Sequence, residues 1–461
     1  MGINKVDASV AQGVIASSVN RVVVGLGVTG VSCARYLYAR GISFTVIDTR
    51  AEPPGLRELR QEMPDVTIYA GDYPAGLIDS ATELIVSPGI AMDDPVVVRA
   101  LAADVEVLGD IDLFVRAARA PVVGITGSNA KSTVTELLGQ MARDAGLNVG
   151  VGGNLGTAAL DLLADDRELY VLELSSFQLE RAGNLNLAVA TVLNVSADHL
   201  DRHGNMPNYH QAKHRIFRGC AKAVVNRSDP LTLPLVAADV EIISWRVSEP
   251  ELGGFGLRQV DGVEHLCCGF ETLLSVEQLA LAGRHNVANV LAALALGHAV
   301  GLPLASMVAT LREFRGLPHR CEQVAQINGI SFVNDSKGTN VGATEAALHG
   351  LGGERNIILI AGGQSKGADF TRLQAAVQRH CKLLVLLGED AGKMQQALAG
   401  SAPVVMALSM DGAVTTAAQQ AAPGDCVLLS PACASFDMFA GYAQRGVAFC
   451  EAVARLQEGK L

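Results

Sequence analysis

From Arg21 onward, short runs of β-branched and apolar residues alternate with helical segments, and most runs end on a glycine or polar turn. That rhythm allows little besides parallel sheets crossed over by helices, an α/β fold. At 461 residues the chain is too long for one ordinary core, so several domains are expected. Three blocks are read, at 21–107, 108–318 and 319–461, with residues 1–20 as a poorly ordered extension.

The middle block carries the most specific stretch, Gly124-Ile125-Thr126-Gly127-Ser128-Asn129-Ala130-Lys131-Ser132-Thr133. It follows the apolar run Pro121-Val122-Val123 and precedes a segment expected to be helical, Val134 to Ala145. A turn between strand and helix leaves backbone N–H groups and the positive end of the helix dipole free to cradle an anion. Lys131 adds a mobile cation for the outer phosphates, and Ser132 a hydroxyl suited to Mg²⁺. Ala130 stands where this pattern expects a glycine. The alternative, an ordinary turn with a surface lysine, fits less well because strand and helix sit where the mechanism needs them.

Later runs in the block end on chemistry-bearing residues. Leu169 to Leu172 reads as a strand ending on Glu173, placed either for Mg²⁺ or to start a helix. Ala188 to Leu193 ends in Asn194-Val195-Ser196-Ala197-Asp198-His199-Leu200-Asp201, and the residues alone leave His199 open between ligand and structural polar cluster. Tyr209, Lys213 and Phe217 fall four apart on one helix face, where a lysine ordinarily snorkels. Gly152 to Gly156 reads as a flexible polar turn and Phe255 to Glu277 as a β-rich elaboration. Asn286 and Asn289 read as caps of the buried helix Val290 to Val300.

The first block opens with Val22-Val23-Val24, then Gly25-Leu26-Gly27-Val28-Thr29-Gly30, a helix from Val31 to Ala39, and a strand ending on Asp48. This satisfies G-x-G-x-x-G with an acid about 20 residues on. It suits a dinucleotide, and Thr29, Thr49 and Arg50 suit a sugar nucleotide equally. Ser87-Pro88-Gly89 is either a plain turn or a ligand loop. In the third block four strands end in polar stretches: Asp335 to Asn340, Gly362 to Lys366, Gly388 to Asp390 and Ser430 to Ser435. Four such ends on one edge make a binding rim. The first and third blocks therefore read as Rossmann-like and the middle one as a P-loop ATPase type.

A formal net charge of −11 argues against a nucleic-acid footprint. No apolar run reaches the roughly 18 residues of a membrane span, and no export signal is seen, so a cytoplasmic protein is expected. The nine cysteines lack C-x-x-C spacing and read as buried free thiols rather than zinc ligands.

The phosphate-loop stretch resembles the ATP loop of the Mur ligases and their folylpolyglutamate synthase relatives. Glu173 to Leu179, Asn194 to Asp201, Gly283 to Asn289 and His319-Arg320 each resemble family motifs, in the family's order. Asp335 to Thr344 and Leu428 to Asp437 are most similar to the member that adds D-glutamate to UDP-N-acetylmuramoyl-L-alanine. The resemblance covers the chain from about Arg21 to its end.

It implies an ATP-dependent amide ligase of peptidoglycan precursor synthesis, with domains that close around three small-molecule substrates, and a monomer. It implies ATP on Gly124, Thr126, Gly127, Ser128, Asn129, Ala130, Lys131, Ser132 and Thr133, with Asn286, Asn289, Arg320 and Asp335 as further contacts. Lys131, Glu173, His199 and Lys213 take catalytic roles. Ser132, Glu173, His199 and a carbamylated Lys213 hold Mg²⁺ at two sites. The uridine nucleotide substrate falls to Val28, Thr29, Asp48, Thr49, Arg50, Gly89, Asn154 and His199, and D-glutamate to Lys337, Thr339, Lys366, Ser435, Phe436 and Tyr442. Besides Ala130, Tyr442 stands where relatives carry Phe, and Gln364 where an acid is common. The alternatives are a sibling ligase and, resting on Gly25 to Gly30 with Asp48, a nicotinamide-dependent oxidoreductase.

Overall fold

The computed structural model describes residues 19–154, 156–281, 283–365 and 367–459. It divides into two compact units, Met1–Asp110 and Ile111–Leu461.

The first unit is a five-stranded parallel sheet in the order Ile68–Ala70, Thr45–Asp48, Arg21–Val24, Glu83–Val86, Glu106–Leu108. The order reverses at Arg21–Val24, so the turns after that strand and after Glu83–Val86 meet at a switch point, where such sheets bind ligands. Val22, Val24, Ile47, Leu84 and Val86 are buried in one apolar cluster with Val96, Val97 and Ala100 of the helix Pro95–Ala102. Asp94 caps that helix by accepting from the Val96 N–H, and Pro95 occupies its first turn.

The second unit holds two sheets. One has nine strands, in the order Glu271–Ser275, Val263–Cys268, Phe255–Val260, Glu241–Trp245, Lys222–Asn226, Val189–Val192, Val122–Thr126, Leu169–Glu173, Val149–Gly153. Its first three are antiparallel and the rest parallel. The β-rich elaboration is thus an antiparallel extension of one edge. Gly152 and Gly153 belong to a strand rather than to a flexible turn, because Gly152 is held against the Thr157 carbonyl, 2.3 Å from where a Cβ would lie. The helices Lys131–Asp144 and Arg284–Ala299 cover one face, and Val134, Leu137, Val290 and Leu294 are fully buried there.

The other sheet runs Glu322–Ile327, Ile330–Asn334, Cys426–Leu429, Ile357–Ala361, Cys381–Leu386, Val404–Met406. All pairs are parallel except the first, an antiparallel edge strand absent from the sequence reading because Glu322, Gln323 and Gln326 break its apolar pattern. The four polar strand ends expected from sequence follow four adjacent parallel strands and so leave from one edge of the sheet.

Candidate active site

Three adjacent strands of the nine-stranded sheet set the centre. Val122–Thr126 lies between Leu169–Glu173 and Val189–Val192, all parallel, so the turn after it is flanked by Glu173 and by Asn194. Asn194 clamps the turn: its Oδ1 accepts from the Asn129 N–H at 2.8 Å and its Nδ2 donates to the Asn129 carbonyl at 3.2 Å. The Ser128 hydroxyl accepts from the Ser196 N–H at 2.9 Å and lies 3.0 Å from the Tyr209 hydroxyl. Gly124 and Thr126 stay in the strand, below the cleft wall that begins at Ser128. A Cβ on Gly124 would lie 2.5 Å from Leu187 Cδ1, so this glycine serves packing. Ala130 takes φ 67° and ψ −8°, the left-handed region that explains why glycine is the usual residue; an alanine there costs about 1 kcal/mol.

The helix starts at Lys131, three residues earlier than expected, which puts Lys131, Ser132 and Thr133 in its first turn. Lys131 Nζ donates to the Gly127 and Ser128 carbonyls at 2.9 and 3.0 Å. Lys213 Nζ reaches the same Gly127 carbonyl at 2.8 Å. Burial lowers the pKa of both ammonium groups; for Lys213 the drop is large, and Lys131 adds to it. Lys213 is 1% exposed and lies over the Tyr209 ring at 4.5 Å. A snorkelling lysine would keep its head in water, so that reading fails here. Its helix, Met206–His214, also ends before Phe217, which falls in the following 3₁₀ turn Arg215–Phe217.

Glu173 is buried, and its carboxylate accepts from Asn154 Nδ2 at 2.7 Å and from the Ser132 hydroxyl at 2.5 Å. Arg320, from the loop that leads into the second sheet, donates to Ser132 Oγ at 2.5 Å. Asn340, at the end of a strand loop of that sheet, donates to Asn129 Oδ1 at 3.1 Å and to Asp198 Oδ2 at 3.0 Å. These bonds join the two sheets across a cleft of about 650 Å³ lined by Lys131, Glu173, Arg320 and Lys337. Carboxylate and hydroxyl oxygens at Glu173 and Ser132 suit a hard cation such as Mg²⁺. Among the described residues no three His, Cys, Asp or Glu side chains cluster as a metal cage. An ion there must also draw on other oxygens, as Mg²⁺ does from phosphates.

The other expected residues fall into two sets. Asp335, Lys337, Thr339, Asn286, Asn289 and His199 line the same cleft. Asp335 accepts from Ser430 Oγ at 2.7 Å, and burial pushes its carboxyl up to about 6. Lys337 lies 4.0 Å over the Tyr442 ring, and burial, aided by Arg320 and Lys131, pushes it down to about 8. His199 sits at φ 53° with its ring against Phe177 and its Nε2 3.6 Å from Asp198 Oδ2. Asn286 and Asn289 lie inside the helix Arg284–Ala299 rather than capping it, and Asn289 Nδ2 donates to Asn286 Oδ1 at 2.9 Å. Ser435 is buried while Phe436 is 65% exposed. Lys366 lies outside the described residues. Gln364 pairs with Ala434 through the backbone, and its Nε2 donates to Glu389 Oε2 at 3.2 Å, so an acid stands beside the position even though none occupies it.

The first unit carries the second set. Gly30 is forced: a Cβ there would lie 1.7 Å from the Gly25 carbonyl oxygen. Asp48 is buried, with Oδ2 accepting from the Leu26 N–H at 2.7 Å and both oxygens bound by Arg50. Burial acts to raise its pKa, but Arg50 and the two backbone N–H groups outweigh it and leave the carboxyl lowered. Val28, Thr49, Arg50 and Gly89 are exposed around that turn, and Thr29 is half-buried.

Nothing in the sequence marks Arg445, a basic residue in the first turn of the amphipathic helix Tyr442–Gln457. It is 2% exposed and ties the loop at Ser336 to the loop at Cys433 and Ala434.

Comparison with known proteins agrees with this architecture. Residues 19–109 match the profile of the Mur ligase MurD-like N-terminal domain, 125–297 the Mur ligase middle domain, and 319–433 the Mur ligase glutamate ligase domain. UDP-N-acetylmuramoylalanine–D-glutamate ligase of Pseudomonas aeruginosa is 54% identical, over 96% of this chain and 99% of its own length. The protein of that name from Marinobacter nauticus is 51% identical, over 95% and 98%. Among solved structures, a pseudomurein peptide ligase type C from Methanothermus fervidus aligns with TM-score 0.62 at 18% identity, over 95% of this chain and 99% of that one. The UDP-N-acetylmuramate–alanine ligase MurC of Thermotoga maritima aligns with TM-score 0.56 at 18% identity, over 96% and 100%. At that identity the two structures speak for the fold alone. With three profiles matched in order and relatives above half identity across nearly the whole length, the chain belongs to the Mur ligase family.

Proposed function

We propose that this chain is an ATP-dependent amide ligase joining D-glutamate to UDP-N-acetylmuramoyl-L-alanine in peptidoglycan precursor synthesis, acting as a cytoplasmic monomer. The observation that carries the reading is the convergence of Lys131, Arg320 and Lys337 with Glu173 on one cleft, in a chain whose relatives bear that ligase's name. Within the reading, residues 21–107 hold the uridine nucleotide, 108–318 hold ATP and 319–461 hold the amino acid.

The substrate carboxylate attacks the γ-phosphorus of ATP, the bond to the β-γ bridging oxygen breaks, and ADP leaves. The acyl phosphate formed is a far better acyl donor than a carboxylate. The D-glutamate amine adds to its carbonyl carbon, sheds a proton, and phosphate departs from the tetrahedral intermediate. Such catalysis rests on alignment and charge neutralisation. Lys131 offsets charge on the moving phosphoryl group, with Ser128, Asn129 and Thr133 around the phosphates. Arg320, Asp335, Asn286 and Asn289 position the rest of the nucleotide. Lys337, Thr339, Lys366, Ser435, Phe436 and Tyr442 orient D-glutamate.

Glu173 and Ser132 would hold one Mg²⁺, which supplies further charge neutralisation when bound. His199 and Lys213 would hold a second only if Lys213 is first converted, since an ammonium repels a cation. The depressed Lys213 pKa makes the neutral amine accessible. Its nitrogen can bond to the carbon of CO₂ and lose a proton, leaving a carbamate anion.

The test is phosphate release from ATP with UDP-N-acetylmuramoyl-L-alanine, with and without D-glutamate. Release that depends on D-glutamate is expected. Release that prefers another amino acid moves the chain to a sibling ligase, and no release rejects the reading. The oxidoreductase alternative is weakened because it leaves the Lys131 turn, and the Glu173 and Arg320 contacts to Ser132 beside it, without a role.

A further inference from the structure

Arg445 is a buried cation that has no carboxylate partner among the described residues. Its Nε donates to Ser336 Oγ at 3.0 Å. One terminal nitrogen donates to the Cys433 and Ala434 carbonyls at 3.2 and 3.3 Å, and the other to the Ser336 and Cys433 carbonyls at 2.8 and 3.2 Å. Every acceptor is neutral, and among the described residues no carboxylate lies within ion-pair distance. Buried guanidinium groups are ordinarily paired, because an isolated charge inside a protein is costly. Burial pushes this one down to about 10, so it remains a cation at neutral pH.

Its place in the fold is specific. Ser336 immediately precedes Lys337, and Cys433-Ala434 immediately precede Ser435. These are the two loops on which the ligase reading puts D-glutamate. The Ser336 hydroxyl also donates to the Tyr442 carbonyl at 2.8 Å, and the Tyr442 ring lies under Lys337 Nζ. One guanidinium therefore fixes both loops and, through Ser336 and Tyr442, the seat of Lys337.

We infer that Arg445 is the positioning residue for the amino-acid substrate: its N–H groups are all spent on the Ser336 and Cys433–Ala434 loops, so its uncompensated charge acts on the substrate's second carboxylate through the field and the seat of Lys337 rather than by contact, and favours a dicarboxylic amino acid over a neutral one. This rests on the ligase reading above. A lysine in its place keeps the charge but loses the planar fork that spans four acceptors. A methionine keeps the bulk and loses both.

The experiment compares wild type, Arg445→Met and Arg445→Lys, using full-length protein, ATP and UDP-N-acetylmuramoyl-L-alanine. Phosphate release is followed with D-glutamate and with D-glutamine, whose side chain is uncharged. In Arg445→Met the wild-type preference for D-glutamate in kcat/KM should fall about 10-fold or more, with the KM for ATP changed less than about 3-fold, the scale expected from losing one charge interaction. In Arg445→Lys the preference should survive within about 3-fold while KM rises for both amino acids. A residue that merely supports the fold would lower kcat for both amino acids alike, and an unchanged preference in Arg445→Met overturns the inference. Should the methionine variant fail to fold, a wild-type KM for D-glutamate in Arg445→Lys overturns it instead. If wild-type protein releases no phosphate with D-glutamate, the ligase reading falls and takes this inference with it; if it does and the preference is unmoved, only this inference falls.

Discussion

The turns Gly25–Gly30 and Gly127–Ser132 each join a buried parallel strand to a helix, yet they are secured by different means. The first is secured from behind by an acid: Asp48, on the neighbouring strand, takes the Leu26 N–H and holds Arg50 beside it. The second carries its own cation, Lys131, and has an acid, Glu173, on its neighbouring strand that takes a hydroxyl of the helix rather than a backbone N–H. One geometry thus serves two chemistries. A turn held from behind can contact a sugar or diphosphate through N–H groups and exposed side chains. A turn with a lysine aimed back at its own carbonyls can trade those carbonyls for phosphate oxygens during reaction.

The sharpest way to break the comparison is Gly30→Ala. The new methyl would sit 1.7 Å from a backbone oxygen, and backbone cannot step aside cheaply. A loss above about 4 kcal/mol is expected, enough to unfold the first unit. Melting within about 2 °C of wild type would show that the turn is not as described.

Lys131→Ala comes next. The fold should survive, since the lysine bonds only carbonyls of its own turn, but turnover should fall at least about 100-fold from losing one charge-stabilising donor. Near-normal ATP cleavage would remove the chemical difference between the two turns. No equivalent loss is available in the first turn, which has no lysine.

The fold's layout was legible because most strand runs in the sequence end on a glycine or a polar residue that marks a turn. The three loops that matter, after Val122–Thr126, Leu169–Glu173 and Ile330–Asn334, were all visible as polar ends. What sequence could not show was which polar ends face one another. The Arg320–Ser132–Glu173 chain spans 188 positions in its first step, and nothing local marks it. Lys213 looked like a surface lysine because its helix face is ambiguous, and only tertiary burial identifies it. Arg445 was invisible for the same reason: a buried arginine and a solvated one are the same letter. Asn286 and Asn289 differ in the opposite sense: asparagine favours caps, but the helix starts at Arg284 and carries both inside it.

A smaller, pH-dependent effect distinguishes the cationic side of the site. Lys337 is pushed down to about 8 by burial first and by Arg320 and Lys131 next. Below that value it is an ammonium that can pair with a carboxylate; as pH rises through it, the charge is lost. The KM for D-glutamate should therefore climb between about pH 7.5 and 9, while Lys337→Arg, which stays protonated, should flatten the climb. For stability the sign is opposite. The unfolded lysine holds its proton to higher pH than the folded one, so the cost of burying the charge is relieved as pH rises from about 8 toward 10.4. A KM that ignores pH across this range would detach Lys337 from the amino acid.

The smallest effect tests the one residue where the two turns differ in tolerance. Ala130 accepts a left-handed φ of 67° with a methyl group, and that methyl packs against the apolar cluster beneath the helix. Ala130→Gly removes strain worth about 1 kcal/mol, but it frees the unfolded chain by a comparable 0.4–1 kcal/mol and gives up the methyl contact. These terms nearly cancel, so melting should move by no more than about 4 °C in either direction. Turnover should stay within about 3-fold if phosphate approaches the turn without meeting the methyl. A rise above about 10-fold would mean that the alanine obstructs the phosphates, and that this turn, unlike Gly25–Gly30, works short of its geometric limit.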